Sequence, residues 1–159
     1  MKIKNLFVFM TASLISVVAN ALPLTGIYQT IDDQTGQPKA IVALYEYIDD
    51  DDTEIAGRIV ATYRDGNIMT DSEFVGQDII WGMEWDSDDN RYEDGKIRDP
   101  QNGKVYSSVI WQDTAGKLNV RGKVGPFGRT QIWNSLTDDK IPQQLQNLNT
   151  SNWKPNVKK

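Results

Sequence analysis

Between Asp94 and Trp133 the chain alternates polar and apolar residues in three short runs, each closed by a turn signal. Side chains that alternate with a period of two suit a strand that is buried on one face. Asp99-Pro100-Gln101-Asn102-Gly103 reads as a hairpin turn: Pro100 fixes one φ, and Asn-Gly is expected to supply positive φ values. Asp113 to Gly116 joins the next two runs. Such a block folds as consecutive antiparallel strands and cannot fold as a helix bundle.

The same reading extends toward the N-terminus. Strands are expected at 24–30, 40–48, 54–63, 79–85, 91–98, 105–112, 117–124 and 129–133. In the third, Ile55, Gly57, Ile59 and Ala61 share one face, opposite Glu54, Arg58 and Thr62. In the seventh, Leu118, Val120, Gly122 and Val124 lie opposite Asn119, Arg121 and Lys123. About eight strands spaced by turns define an all-β domain, a sandwich or a small barrel. The stretch from Arg64 to Trp81 gives no clear pattern, beyond a loop beginning at Asp65-Gly66-Asn67.

Residues 1–21 read as a cleaved signal peptide. Lys2 and Lys4 precede an apolar run of about 14 residues, Leu6 to Ala19, and Ala19-Asn20-Ala21 fits signal peptidase, with cleavage after Ala21. A membrane span needs roughly 20 apolar residues, so none is expected. The expected location is the periplasm or the cell exterior. The chain has no cysteine, which excludes a cysteine-linked lipid anchor and any disulfide. The expected domains are the signal peptide, a β-barrel domain over 22–136, and a polar tail over 137–159. The tail, rich in Gln, Asn and Lys, reads as loosely held.

Loss of Lys2 and Lys4 takes the formal charge from −5 to −7. An acidic protein is a poor partner for nucleic acid. With neither His nor Cys, no Ser-His or Cys-His nucleophile can be built. Glu84, Glu93 and Asp99 lie close in sequence but read as solvated loop acids, and no enzyme is expected. Asp86-x-Asp88-x-Asn90 matches the start of a calcium loop; Arg91 then replaces the required Gly, and Ile97 stands where Glu is needed. No metal and no cofactor are expected.

Asp94-Gly95-Lys96-Ile97, Asp99-Pro100, Asn102-Gly103-Lys104, Tyr106, Val120-Arg121-Gly122 and Phe127-Gly128-Arg129-Thr130-Gln131, closed by Trp133, resemble the bacterial secreted family catalogued as domain of unknown function 2147. Gly57-Arg58-Ile59-Val60 and Gly82-Met83-Glu84-Trp85 extend the likeness, which covers roughly 24 to 134. This chain departs from the family pattern at Tyr28, where a Trp is usual, and at Lys123, where a Tyr is usual. The resemblance implies a closed, up-and-down, lipocalin-like barrel of about eight strands, able to hold one small ligand. It implies no activity.

Aromatics with a few placed polar groups line small-molecule pockets. Tyr28, Tyr45, Trp81, Trp85, Arg121, Arg129 and Trp133 are therefore the candidate residues for binding a small molecule or lipid. Each has a bland alternative: the aromatics as core, the arginines as structural clamps. Arg129 in particular is expected to stack on Tyr28 and join the last strand to the first. An envelope module with a side-chain-filled barrel is the alternative function.

Overall fold

Strands form where Val, Ile, Thr, Tyr and Trp alternate with polar residues, and they end where the backbone turns through positive φ. The computed structural model describes residues 24–157; the expected signal peptide lies outside them. The strands are β1 (Gly26–Ile31), β2 (Pro38–Asp49), β3 (Asp52–Arg64), β4 (Asn67–Met69), β5 (Asp78–Asp86), β6 (Arg91–Arg98), β7 (Val105–Gln112), β8 (Leu118–Val124) and β9 (Phe127–Ser135). They are antiparallel neighbours in the order β2-β1-β9-β8-β7-β6-β5-β3, and β2 also pairs with β3. The ring is thus a closed, eight-stranded, up-and-down barrel. β4 falls in the stretch that gave no sequence pattern, and it folds back on the end of β3 outside the ring.

The acidic run Asp49–Asp52 is a tight hairpin. Asp49 pairs with Asp52, and Asp50 and Asp51 take φ of 46° and 77°. Aspartate tolerates this region because its short side chain bonds locally. The expected Asn-Gly turn differs in detail. Only Gly103 has positive φ, and the Asp99 carboxylate closes the loop by accepting from the Gln101 amide (2.9 Å) and the Asn102 side chain (2.9 Å).

One of the breaks in strand alternation reverses a facing that the sequence suggests. Ile41 pairs with Ala61 and Val42 with Ile59, so Val60 is an extra residue in β3. A bulge of this kind reverses the facing of the residues beyond it. Ile59 therefore points into the barrel, while Ala61, expected beside it, joins an apolar cluster on the outside with Ile41, Ala43 and Val60.

That outer cluster is covered by the C-terminal segment. Leu145, in a single 3-10 turn (Gln143–Leu145), is buried there, and Ile141, Leu148 and Trp153 pack partly against it. The loosely held tail expected from composition is, over its described residues, a packed strap. Burying one leucine is worth about 1.5–3 kcal/mol, and the partly buried Ile141, Leu148 and Trp153 add to it.

Inside the barrel, Leu24, Tyr28, Leu44, Ile55, Met83, Tyr92, Ile110 and Leu118 form a filled layer. The β2–β3, β5–β6 and β7–β8 turns lie at that end. Packing there is tight: a Cβ on Gly95 would come within 2.5 Å of the Met83 sulfur and 2.7 Å of the Trp81 carbonyl oxygen.

Candidate functional site

In an up-and-down barrel alternate turns share an end. The β1–β2, β6–β7 and β8–β9 turns therefore surround the opposite mouth, where the core stops short of the rim. A cavity of about 850 Å³ opens there. Ile59, Ile79, Ile97, Val120 and Trp133 form its apolar floor. Lys39, Arg98 and Arg129 with Asp32, Asp33 and Asp99 are among its lining residues nearer the turns. Val124 and Phe127, 63% and 78% exposed, make an apolar lip on the β8–β9 hairpin.

One face of β9 supplies the polar order of the mouth. Arg129, Gln131 and Trp133 alternate onto the same side. The Trp133 indole donates to Gln131 Oε1 (3.4 Å), Gln131 Nε2 donates to Asp33 Oδ2 (3.0 Å), and Arg129 Nη2 lies 2.5 Å from the same oxygen. This chain ties β9 to the β1–β2 turn. Asp32 shapes that turn. Its carboxylate accepts from the Thr35 and Gln34 amides, and the Thr35 amide bond is the largest cause holding its pKa below the ordinary value.

The structure brings two of the seven candidate residues, Arg129 and Trp133, to this cavity. Tyr28 is buried in the filled layer and donates to the Leu24 carbonyl (3.2 Å); burial raises its pKa. The expected Arg129–Tyr28 stack is not formed, because Arg129 turns outward to Asp33 and is 71% exposed. Trp85 packs edge-on against Tyr92, with ring centroids 5.1 Å apart, in the filled half. Trp81 lies beneath the Arg98 guanidinium, 5.7 Å from its centre. Arg121 lies on the outer surface across Gly128, donating to Thr130 (3.2 Å), and a Cβ on Gly128 would strike its Nε at 2.7 Å. Its bond to Thr130 joins β8 to β9.

Tyr45 points outward into a second polar centre that sequence reading missed. Asp78, fully buried, accepts from Tyr45 (2.7 Å), from Arg58 through Nη2 (2.8 Å), and from the Asn156 amide (2.8 Å). Asn156 also accepts from the Asp78 amide (3.1 Å) and donates to the Gly76 carbonyl (2.7 Å). The Trp153 ring lies under Arg58, 4.4 Å from its centre, and Arg58 donates to the Lys154 carbonyl (2.8 Å). Burial works against the charge on Arg58, and its bonds to Asp78 more than offset this, so its pKa is raised. A buried ion pair is tolerated only when its remaining bonds are made, and the strap makes them.

The three acids singled out in the sequence are not gathered at one place. Glu84 and Glu93 face each other across β5–β6, Glu93 is paired with Arg91 (2.7 Å), and Asp99 serves its own turn at the other end of the barrel. The calcium-like segment is a closed turn. Asp86 accepts from the amides of Asp88 and Asp89, and Arg91 bridges Asp89 and Glu93. Asp86, Asp89 and Glu93, rather than Asp88 and Asn90, are the oxygens that gather there, and the Arg91 guanidinium pairs with two of them.

A closed barrel packed at one end and hollow at the other defines a lipocalin-like protein. The chain belongs to the family described as uncharacterized protein conserved in bacteria (DUF2147), whose model matches residues 26–135. Among solved structures it is similar to protein HP1028 from Helicobacter pylori, which belongs to the lipocalin family. The two share 22% identity with a TM-score of 0.56, over 74% of this chain and 86% of that one. No curated protein sequence matches this chain.

Proposed function

We propose that this protein is an exported, non-enzymatic carrier that holds a small, partly apolar molecule in the open half of its barrel. The observation that carries this reading is the division of the interior. A barrel serving only as a scaffold is filled throughout by its own side chains, as the lower half is here. The upper half instead leaves about 850 Å³ over an apolar floor with an ordered polar rim, within the size range of small-molecule sites. The lack of His and Cys supports a role without catalysis, and the basic start, apolar run and Ala19-Asn20-Ala21 support export.

Native mass spectrometry on protein purified from its source cells tests the reading directly. A retained small-molecule mass is expected. Gly122 lines the cavity, and a Cβ there would meet Ile97 at 3.5 Å and Tyr106 at 3.8 Å, ordinary contact distances. Gly122→Leu should therefore fold, occupy the hollow and lose the mass. Wild-type protein that carries nothing, and behaves identically to Gly122→Leu toward added apolar probes, would support the side-chain-filled envelope module instead.

A further inference from the structure

Resting on the carrier reading, we infer that the occupant is a compact, ring-built molecule with an uncharged, hydrogen-bonding head, and is neither a long acyl chain nor an ion. Three features of the cavity converge on this class.

The first is depth. On β9 the rim residue Arg129 and the floor residue Trp133 are separated by four residues. At a rise of about 3.3 Å per residue and a strand tilt of about 40°, the hollow is on the order of 10 Å deep. Below it Tyr28, Leu44, Met83 and Leu118 close the section, each at most 3% exposed, so an extended chain cannot thread further.

The second is width. A volume of about 850 Å³ over that depth makes the hollow roughly as wide as it is deep. A single alkyl chain leaves most of such a space empty, and unfilled apolar space forfeits contact. A cage or fused-ring body fills it.

The third is the charge of the rim. The lining holds three acids, Asp32, Asp33 and Asp99, and three bases, Lys39, Arg98 and Arg129. Two pairs are already made, Arg129–Asp33 at 2.5 Å and Lys39–Asp32 at 3.9 Å. The remaining base, Arg98, lies over Trp81 with its Nε buried and unpartnered, and a charged head would still meet both signs across the rim. A hydroxyl or amide can accept from Arg129 or Gln131 and donate to Asp33 while the pairs stay intact.

Titration of the wild-type protein with adamantanol, adamantanecarboxylate, adamantylammonium and decanol at neutral pH separates shape from charge. Adamantanol is expected to bind at least about tenfold more tightly than either ion and than decanol. The Asp33→Asn variant, which leaves the rim one charge positive, should then move the preference toward the carboxylate. Either ion matching adamantanol overturns the uncharged head, and decanol matching it overturns the compact body; in both cases the carrier reading stands. Failure of all four probes overturns the inference, and if native protein also retains no ligand the carrier reading falls with it.

Discussion

The Asp33 carboxylate reaches from the β1–β2 turn to the guanidinium of Arg129 on β9, Oδ2 to Nη2 at 2.5 Å. The contact joins the first and last strands of the barrel at the rim, in water rather than in the core. Exposed pairs of this kind contribute about 0–1 kcal/mol and weaken with salt. Arg129→Ala should therefore cost less than about 1 kcal/mol. A double-mutant cycle should show coupling to Asp33 that shrinks at high salt, and additivity with Tyr28→Phe. Coupling between Arg129 and Tyr28 would restore the buried clamp that the sequence pointed to.

Removing the strap has the opposite expectation from its polar composition. Deleting 138–159 uncovers Ile41, Ala43, Val60 and Ala61 and takes Leu145 and Trp153 away from them. It also strips Asn156 from the buried Asp78. A loss of about 3 kcal/mol or more is expected, on the order of 10 °C in melting temperature for a domain of this size. Thermal unfolding of the truncated protein within a few degrees of the full chain would contradict the packing described.

Asp78→Ala isolates the ionic part of the same interface. It leaves Arg58, whose side chain is 17% exposed, without its carboxylate. Breaking a buried pair from one side costs about 3–5 kcal/mol, reduced here because Arg58 keeps some solvent. Limited proteolysis should cut the strap between Leu148 and Asn156 much faster in this variant than in wild type.

Packing at Gly95 gives a fourth test. Its Cβ would press on the backbone carbonyl of Trp81 as well as on the Met83 sulfur. Backbone cannot swing aside as a side chain can, so Gly95→Ala should destabilise by about 2 kcal/mol or more. Gly128→Ala, which meets only the movable Arg121 guanidinium, should cost far less. Chemical denaturation of the two variants side by side checks the ranking.

Alkaline pH should weaken the fold through Tyr45. Burial, and then its bond to Asp78, hold its phenol far above the ordinary value. The folded state therefore binds this proton more tightly than the unfolded chain, where tyrosine ionises near about 10. The contribution is complete below that pH and declines above it. Denaturation midpoints at about pH 8 and about pH 11 should fall further apart in wild type than in Tyr45→Phe.

Most of the barrel was legible because short runs of Val, Ile, Tyr and Trp recur between Gly, Asn and Asp turns. Where alternation fails, so does reading: the bulge at Val60 sends Ala61 outward although its spacing from Ile59 says otherwise. The strap was illegible for a different reason. Ile141, Leu145 and Leu148 keep a helical spacing that suggests one turn, but with Trp153 they dock on a curved outer face from a background too polar to show that the segment packs. At the mouth, Arg129 and Trp133 were visible, and Gln131 sits between them at the same spacing, so the period of two already placed it there. Asp33 had no signal, since its partner is almost the whole barrel away in sequence. Arg121 was ambiguous until the register paired it with Thr130 and the structure set its guanidinium over Gly128.

The ring closes where Tyr28 meets Ser135 and Gln29 meets Asn134. These two pairings span nearly the full length of the barrel sequence, while every other junction in the ring except that between β3 and β5 links strands adjacent along the chain. Loop-closure entropy must be overcome before such a distant contact forms, and barrels rich in non-local pairing fold slowly for that reason. The meander can zip from hairpin to hairpin as it emerges. Residue 135 must reach Tyr28 before the cylinder exists at all, so an exposed β1 edge is the hazard this chain carries until the ring is closed.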